Sequence, residues 1–221
     1  MFALTPPASP SGPWTETVLW SFGATSADSY SPFGVTRGRG GVLYGVASGG
    51  GDCGGTIFSL TPPGSRGGTW AEAVIYRFTC APDGTGPDSG LVIDANGVMY
   101  GTTQLGGAST ACGEGCGTVF SLVPPSSPGG DWTETVLWSF GGAGGGFSPR
   151  AGVVLGAGGV LYGVTQAGGT GGDGIAFALT PPEGAGGAWA ETVLYSFPAS
   201  ANQYPETLAL GEGGGTARHT W

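Results

Sequence analysis

Four glutamates return at one position of this chain, Glu16, Glu72, Glu134 and Glu191, each two residues before a valine. Carboxylates do hydrolytic acid/base work in pairs, and that chemistry needs the pair to converge within roughly 5 to 10 Å. Residues that recur once per repeat on an outermost strand point away from their own copies. These four are therefore expected to diverge around a rim and keep an outer edge soluble. A second set behaves differently. Directly after Pro32, Pro87, Pro149 and Pro205 stand Phe33, Asp88, Arg150 and Glu206, four unlike side chains at one position. A shared core does not explain such variety, so these are the first candidates for a ligand site.

Other chemistries find little support. Cys112 and Cys116 form a Cys-x3-Cys, but no second cysteine pair has matching spacing and the one histidine is His219, so neither a zinc site nor any cofactor is expected. Asp83-Gly84-Thr85-Gly86-Pro87-Asp88 has the oxygen-rich look of a calcium loop and lacks the later bidentate glutamate, so no metal is assigned. There is no Gly-x-Ser-x-Gly elbow, no phosphate loop ending in lysine and no His-Glu-x-x-His. Cys53 and Cys80 fall in loops that would share a face. The expectation is two disulfides, Cys53–Cys80 and Cys112–Cys116, in an oxidising compartment, with free thiols as the alternative.

The elements that must position these residues are copies of one unit. Phe2-Ala3-Leu4-Thr5-Pro6-Pro7 returns from Phe58, Phe120 and Phe177, at intervals of 56, 62 and 57 residues. A period of this length means one supersecondary unit repeated and stacked. With 49 glycines and 17 prolines the chain would read as low complexity if that period were missing. Between the glycines lie runs of five to eight residues rich in Val, Leu, Phe, Tyr and Thr. They read as four strands per unit, with Asp94-Ala95-Asn96-Gly97 as a hairpin turn and no sustained helical period. In the last strand Val136, Trp138 and Phe140 are expected on one face and Thr135, Leu137 and Ser139 on the other. Both faces are partly apolar, as a sheet packed between two similar sheets requires.

Charge narrows the partners. Only 10% of residues are charged and the net charge is −9. The six basic residues, all arginine, are scattered and build no stripe for phosphates, which excludes nucleic acid and disfavours an anionic membrane surface. No segment is long enough for a transmembrane helix, so no membrane insertion is expected within this chain. Met1 sits directly on a repeat strand, and the expectation is that a signal and anchor lie outside the sequence given.

Units of the form Gly90 to Thr103 (Gly-Leu-Val-Ile-Asp-Ala-Asn-Gly-Val-Met-Tyr-Gly-Thr-Thr), then Gly106-Gly107, Cys116 to Leu122 (Cys-Gly-Thr-Val-Phe-Ser-Leu) and Thr135 to Phe140 (Thr-Val-Leu-Trp-Ser-Phe) resemble the bacterial choice-of-anchor tandem repeat called GloVer. The likeness runs from Phe2 to about Leu210. It implies a propeller-like repeat protein exported or tethered at the bacterial surface, with no established enzymatic activity. The likeness stops after Gly214-Gly215, where Thr216 to Trp221 replace the expected Leu-Tyr-Gly-Thr-Thr.

The fold expected is all-β, a propeller of four-stranded antiparallel blades in one domain. Strands c and d of a first blade occupy 1–22, whole blades occupy 31–78, 88–140 and 150–197, and a closing strand lies in 205–221. The two ends are complementary, so four blades would close by sharing one blade between the termini. The alternative is an open fragment of a larger propeller. Loops entering strand a and loops joining b to c would lie on one face, at the channel mouth. Tyr30, Phe33, Asp88, Gln104, Arg150, Gln166, Tyr204 and Glu206 would border a binding site there.

The repeated Tyr44, Tyr100 and Tyr162, and Trp14, Trp70, Trp132 and Trp189, are expected to pack between blades, the tryptophans being the better candidates for ligand stacking. The function expected is a non-enzymatic, extracellular or cell-surface binding module whose partner is a glycan or a surface protein. The competing expectation is a glycan-active propeller enzyme with Asp88 and Glu206 as its carboxylates.

Overall fold

The structure is a computed structural model and describes residues 1–23, 29–50, 54–65, 67–127, 129–141, 144–184, 186–199, 205–211 and 217–218. The chain opens with a hairpin of β1 (Phe2–Thr5) and β2 (Thr15–Val18). The first complete blade follows as β3 (Tyr30–Arg37), β4 (Leu43–Gly49), β5 (Thr56–Thr61) and β6 (Ala71–Arg77). A short strand β7 (Gly84–Thr85) leads into β8 (Val92–Ile93) and β9 (Met99–Thr103). Then come β10 (Leu105–Gly106), β11 (Thr118–Val123) and β12 (Thr133–Ser139). The next unit is β13 (Gly146–Phe147), β14 (Val154–Leu155), β15 (Leu161–Val164), β16 (Ala167–Gly168), β17 (Ile175–Thr180) and β18 (Ala190–Ser196). A last hairpin pairs β19 (Ala209–Leu210) with β20 (Ala217–Arg218).

Three four-stranded antiparallel sheets result, in the orders β3-β4-β5-β6, β8-β9-β11-β12 and β14-β15-β17-β18. Among the described residues the helical segments are two three-residue 3₁₀ turns, and no helix is long and apolar enough to cross a membrane. The fold class is all-β, as the strand periodicity indicated.

One cross-strand pair sets the thickness of every blade. Phe58 lies directly opposite Gly45, Phe120 opposite Gly101 and Phe177 opposite Gly163. A methyl group on these glycines would come within 2.6, 2.6 and 2.4 Å of the facing ring, so the space above each glycine belongs to the phenylalanine. The same ring meets the preceding unit: Phe22 contacts Phe58 at 4.8 Å between centroids, Phe78 contacts Phe120 at 5.2 Å and Phe140 contacts Phe177 at 5.2 Å, all edge to face. Around these pairs each sheet face packs on the next. Val46, Ile57 and Phe78 of the first blade cover Leu91, Met99, Phe120 and Leu122 of the second. The second blade's Val119 and Phe140 in turn cover Val153, Leu161, Phe177 and Leu179 of the third.

The fourth strand departs from the simple alternation expected of it. A bulge interrupts its pairing, so that Val136 faces Phe120 while Trp138 faces Val119. Val136 and Trp138 therefore lie on opposite faces, with Leu137 as the inserted residue. The same shift occurs at Ile57/Phe58 and Ala176/Phe177. An extra residue reverses the side-chain phase of everything beyond it, which a two-residue period cannot reveal.

The chain ends form two separate ladders. Among the described residues β1 pairs with β2 and β19 with β20, and no ladder joins β1 to β20. A short strand does form where the repeat pattern lapses: Ala217 and Arg218 pair with Leu210 and Ala209. Each terminal hairpin leans on its neighbour in sequence. Met1, Trp20 and Phe22 pack on Phe58 and Leu60, and Leu208 packs by Ala151, Val164 and Ala176.

Because Phe120 and Leu91 crowd Gly101, Gly101→Ala is expected to lower stability by about 1–3 kcal/mol through overpacking. Gly90→Ala, at a site with no atom within 4 Å, is the control. Chemical denaturation of the two variants checks this; equal midpoints would show that the ring does not need the glycine.

Candidate functional site

On one face of the stack, the loop entering each inner strand lies against the loop joining the second and third strands. β7 pairs with β10 and β13 with β16. Backbone bonds extend the clamp from blade to blade: the Gly86 amide donates to Gly54 at 3.0 Å and the Ser148 amide to Cys116 at 2.8 Å. Pro87 and Pro149 lie over Gly55 and Gly117 of the preceding unit, where a methyl group would come within 2.4 and 2.5 Å of the proline. This packing accounts for the prolines that open the inner strands of the second and third blades.

The candidates read from the sequence are spread over this face. Tyr30 pairs across with Gly49 and is exposed, and Phe33 lies at a bulge in β3 with its ring partly in solvent. The amides of Gln104 and Gln166 donate to Gly86 and Ser148, which places both residues beside the loops entering the inner strands. Asp88 is half-buried, and burial raises its pKa while the charge of Arg150 opposes the rise. Two of the four unlike positions thus face each other electrically across adjacent blades. Glu206 is exposed. Tyr204 lies outside the described residues.

The cysteines sit on the same face. Cys112 and Cys116 are joined, with Cα atoms 5.2 Å apart, and Cys80 is disulfide-bonded. Its expected partner Cys53 lies outside the described residues. Between the Cys80 loop and the Cys112 loop is a cleft of about 730 Å³, lined by Pro82, Thr85, Ala108 and Thr110, with Glu114 the one charged side chain among the described residues that line it.

Asp83 is not free to bind calcium. It is buried, and its carboxylate accepts from the Tyr76 hydroxyl at 2.8 Å, the Thr79 amide at 2.9 Å, the Thr79 hydroxyl at 3.1 Å and the Gly84 amide at 2.6 Å. Those four donors use its lone pairs and tie down the loop that follows β6. Among the described residues no group of three potential metal ligands occurs.

The recurring glutamates do not all diverge into solvent. Glu134 pairs with Leu122 and Glu191 with Leu179, on the face that meets the preceding blade. Glu134 lies beside Tyr76 and Glu191 beside Trp138, each with its Oε1 buried and without a hydrogen-bond partner among the described residues. Burial, reinforced by the charge of Asp83, pushes the Glu134 carboxyl up to about 7. Burial also raises Glu191. Tyr76 is itself held well above the ordinary phenol range by burial and by the two carboxyls beside it. The Tyr76 hydroxyl donates to Asp83. Glu134, Tyr76 and Asp83 thus lie in a row across the first blade junction. The bulge explains why the sequence pattern missed it: it turns Tyr76 and Trp138 towards the next blade, onto the glutamates.

A second cleft, of about 630 Å³, opens at the opposite ends of the first and second blades. Tyr44 and Trp132 form an edge-to-face pair in it with centroids 5.8 Å apart. Arg37, Arg39 and Asn96 stand at its rim. Asp94 is spent on its own turn, accepting from the Asn96 and Val98 amides at 2.8 Å each. Arg39 donates to the Ala95 carbonyl, which draws its guanidinium across the junction. Equivalent turns in the other blades carry Ile93 and Ala95, or Leu155 and Ala157, so the two cations are particular to this cleft. Its aromatics were visible in the sequence as repeats, and its location was not.

Comparison with known proteins matches residues 1–218 to the Gloeobacter/Verrucomicrobia repeat, and the chain belongs to that family. No curated protein matches it significantly.

Burial of Glu134 makes stability depend on pH. Glu134 has a folded-state pKa of about 7 against an ordinary 4.5, so the folded protein holds this proton more tightly than the unfolded chain. The stability it contributes is complete below about pH 4.5 and is lost as pH rises through 7. Glu191 and Asp88 act with the same sign. The melting temperature is expected to fall between those limits, and to fall less steeply in Glu134→Gln. Parallel profiles for the two proteins would mean that Glu134 is ionised throughout.

Proposed function

We propose that this member of the Gloeobacter/Verrucomicrobia repeat family is a non-enzymatic binding module working outside the bacterial cell, and that the cleft between its first and second blades takes an acidic saccharide. The observation that carries the reading is the convergence of Tyr44, Trp132, Arg37 and Arg39 on one concave site. Aromatic rings offer apolar faces to the C–H surface of a sugar, and a guanidinium meets a carboxylate through parallel N–H bonds. In a chain of net charge −9 with six basic residues, two arginines at one rim favour a ligand that is itself anionic. The Cys112–Cys116 disulfide supports an oxidising location.

Binding is favoured over hydrolysis by the state of the carboxyl groups. Asp88 sits in the field of Arg150 and Glu206 is exposed. The carboxyl with the acid-like pKa, Glu134, is buried in the field of an Asp83 whose oxygens are already occupied. A glycosidase needs its second carboxylate open to water or to the sugar.

Calorimetric titration with an oligogalacturonate and with a neutral oligogalactan tests the reading. The acidic sugar is expected to bind, more weakly at high salt, with at least about tenfold loss in Arg39→Ala and in Trp132→Ala. Equal affinity for the neutral sugar, or binding untouched by both substitutions, overturns it. Release of shorter sugars from the mixture points to the enzyme instead.

A further inference from the structure

The turn facing Arg39 shares its closing bond with the turns of the other two blades and differs from them in the next one. In the first and third blades the residues are Gly38-Arg39-Gly40-Gly41 and Gly156-Ala157-Gly158-Gly159. There the Val42 amide donates to the Arg39 carbonyl at 3.3 Å, and the Val160 amide to the Ala157 carbonyl at 3.5 Å. Each glycine turn thus uses the carbonyl of its own second residue.

The second blade has Asp94-Ala95-Asn96-Gly97, followed by Val98. Its Val98 amide goes to Asp94 Oδ1 at 2.8 Å, and the same oxygen accepts from the Asn96 amide at 2.8 Å. A side-chain acceptor has taken the amide that elsewhere occupies the second carbonyl. The Ala95 carbonyl is left over, and Arg39 of the first blade donates to it across the junction.

Two departures from the repeat meet here. Among the three turns, one has an arginine at its second position and another a carboxylate at its first, and both residues line the cleft of Tyr44 and Trp132. An exposed arginine gives up rotamer freedom when it grips a ligand, and restraint beforehand removes that cost from binding. Asp94 carries the wrong charge for a cleft that takes an anion, so its use there is in the turn and not in contact with the ligand.

We propose that Asp94 is a positioning residue of this cleft: by capturing the Val98 amide it frees the Ala95 carbonyl, which holds the Arg39 guanidinium in place for an anionic group. The identity of that ligand rests on the acidic-saccharide reading of the cleft, and the latch formed by Asp94, Ala95 and Arg39 does not. Asp94→Asn keeps the Oδ1 acceptor and removes the charge. Asp94→Gly restores the glycine that opens the other two turns, and asparagine at position 96 tolerates the left-handed conformation that Gly40 and Gly158 adopt there, with φ of 66° and 68°.

NMR relaxation of the arginine side-chain N–H groups, with the Arg39 signal assigned by its loss in Arg39→Ala, reads the latch without ligand. Arg39 is expected to be restrained in wild type and in Asp94→Asn, and mobile in Asp94→Gly. In calorimetric titration with the oligogalacturonate, Asp94→Gly is expected to bind about fivefold more weakly than wild type although it has lost a negative charge. Asp94→Asn is expected to bind at least as tightly as wild type. An Arg39 as mobile in wild type as in Asp94→Gly overturns the proposal. So does tighter binding by Asp94→Gly, the result expected of charge alone, or an Asp94→Asn that behaves as Asp94→Gly does. Wild type that holds Arg39 fast and binds no acidic sugar supports the latch and removes the ligand reading.

Discussion

A phenylalanine ring held over a glycine is the contact on which the rest of this structure depends. Phe58, Phe120 and Phe177 each fill the space that a side chain on Gly45, Gly101 or Gly163 would take, and each meets an aromatic ring from the preceding unit. The ring serves two interfaces, one within its sheet and one between sheets. That double use lets a chain with so few charges and so much glycine gain enough apolar burial to offset the entropy of ordering it. It also fixes the distance between blades, and hence the depth of every cleft between them.

Polar groups secure the two flanks of this apolar layer by different means. On the loop face the clamp is made of backbone, with amides of one unit bonded to carbonyls of the unit before, and with Asp83 holding the Tyr76–Thr79 corner. On the outermost strands lie carboxyls whose pKa burial raises, beside Tyr76 or Trp138. A charged carboxylate would lose hydration there. A protonated one costs less to bury, which links stability at the blade junctions to acidity.

Function-bearing variety enters through the turns, because they lie outside both layers. The turn between the first two strands closes in the same way in all three blades, with Gly38, Asp94 and Gly156 donating to Val42, Val98 and Val160. Its side chains are free to differ, and in the first blade they bring two arginines to a cleft floored by Tyr44 and Trp132. The same freedom at the inner-strand prolines sets Asp88 against Arg150.

The sequence by itself determined the repeat, the four strands of each unit, the all-β class, the Cys112–Cys116 bridge and the Asp94–Gly97 turn, because each follows from local spacing and local backbone preference. It also marked the unlike residues after the prolines as exceptions to the repeat. Tertiary structure alone decided which way the outer strand faces, since the bulge opposite Phe120 reverses the phase of Trp138 relative to Val136 with no mark in the residue pattern. From that reversal come the contacts of Glu134 and Glu191, which a simple alternation sends to the rim. The Arg37–Trp132 cleft was hidden for a related reason, its two sides being 95 residues apart in the chain. The separate ladders at the two ends, too, could be decided only in three dimensions. Complementary strand patterns state that two edges can pair, and only the path of the chain in space brings them together or leaves them apart.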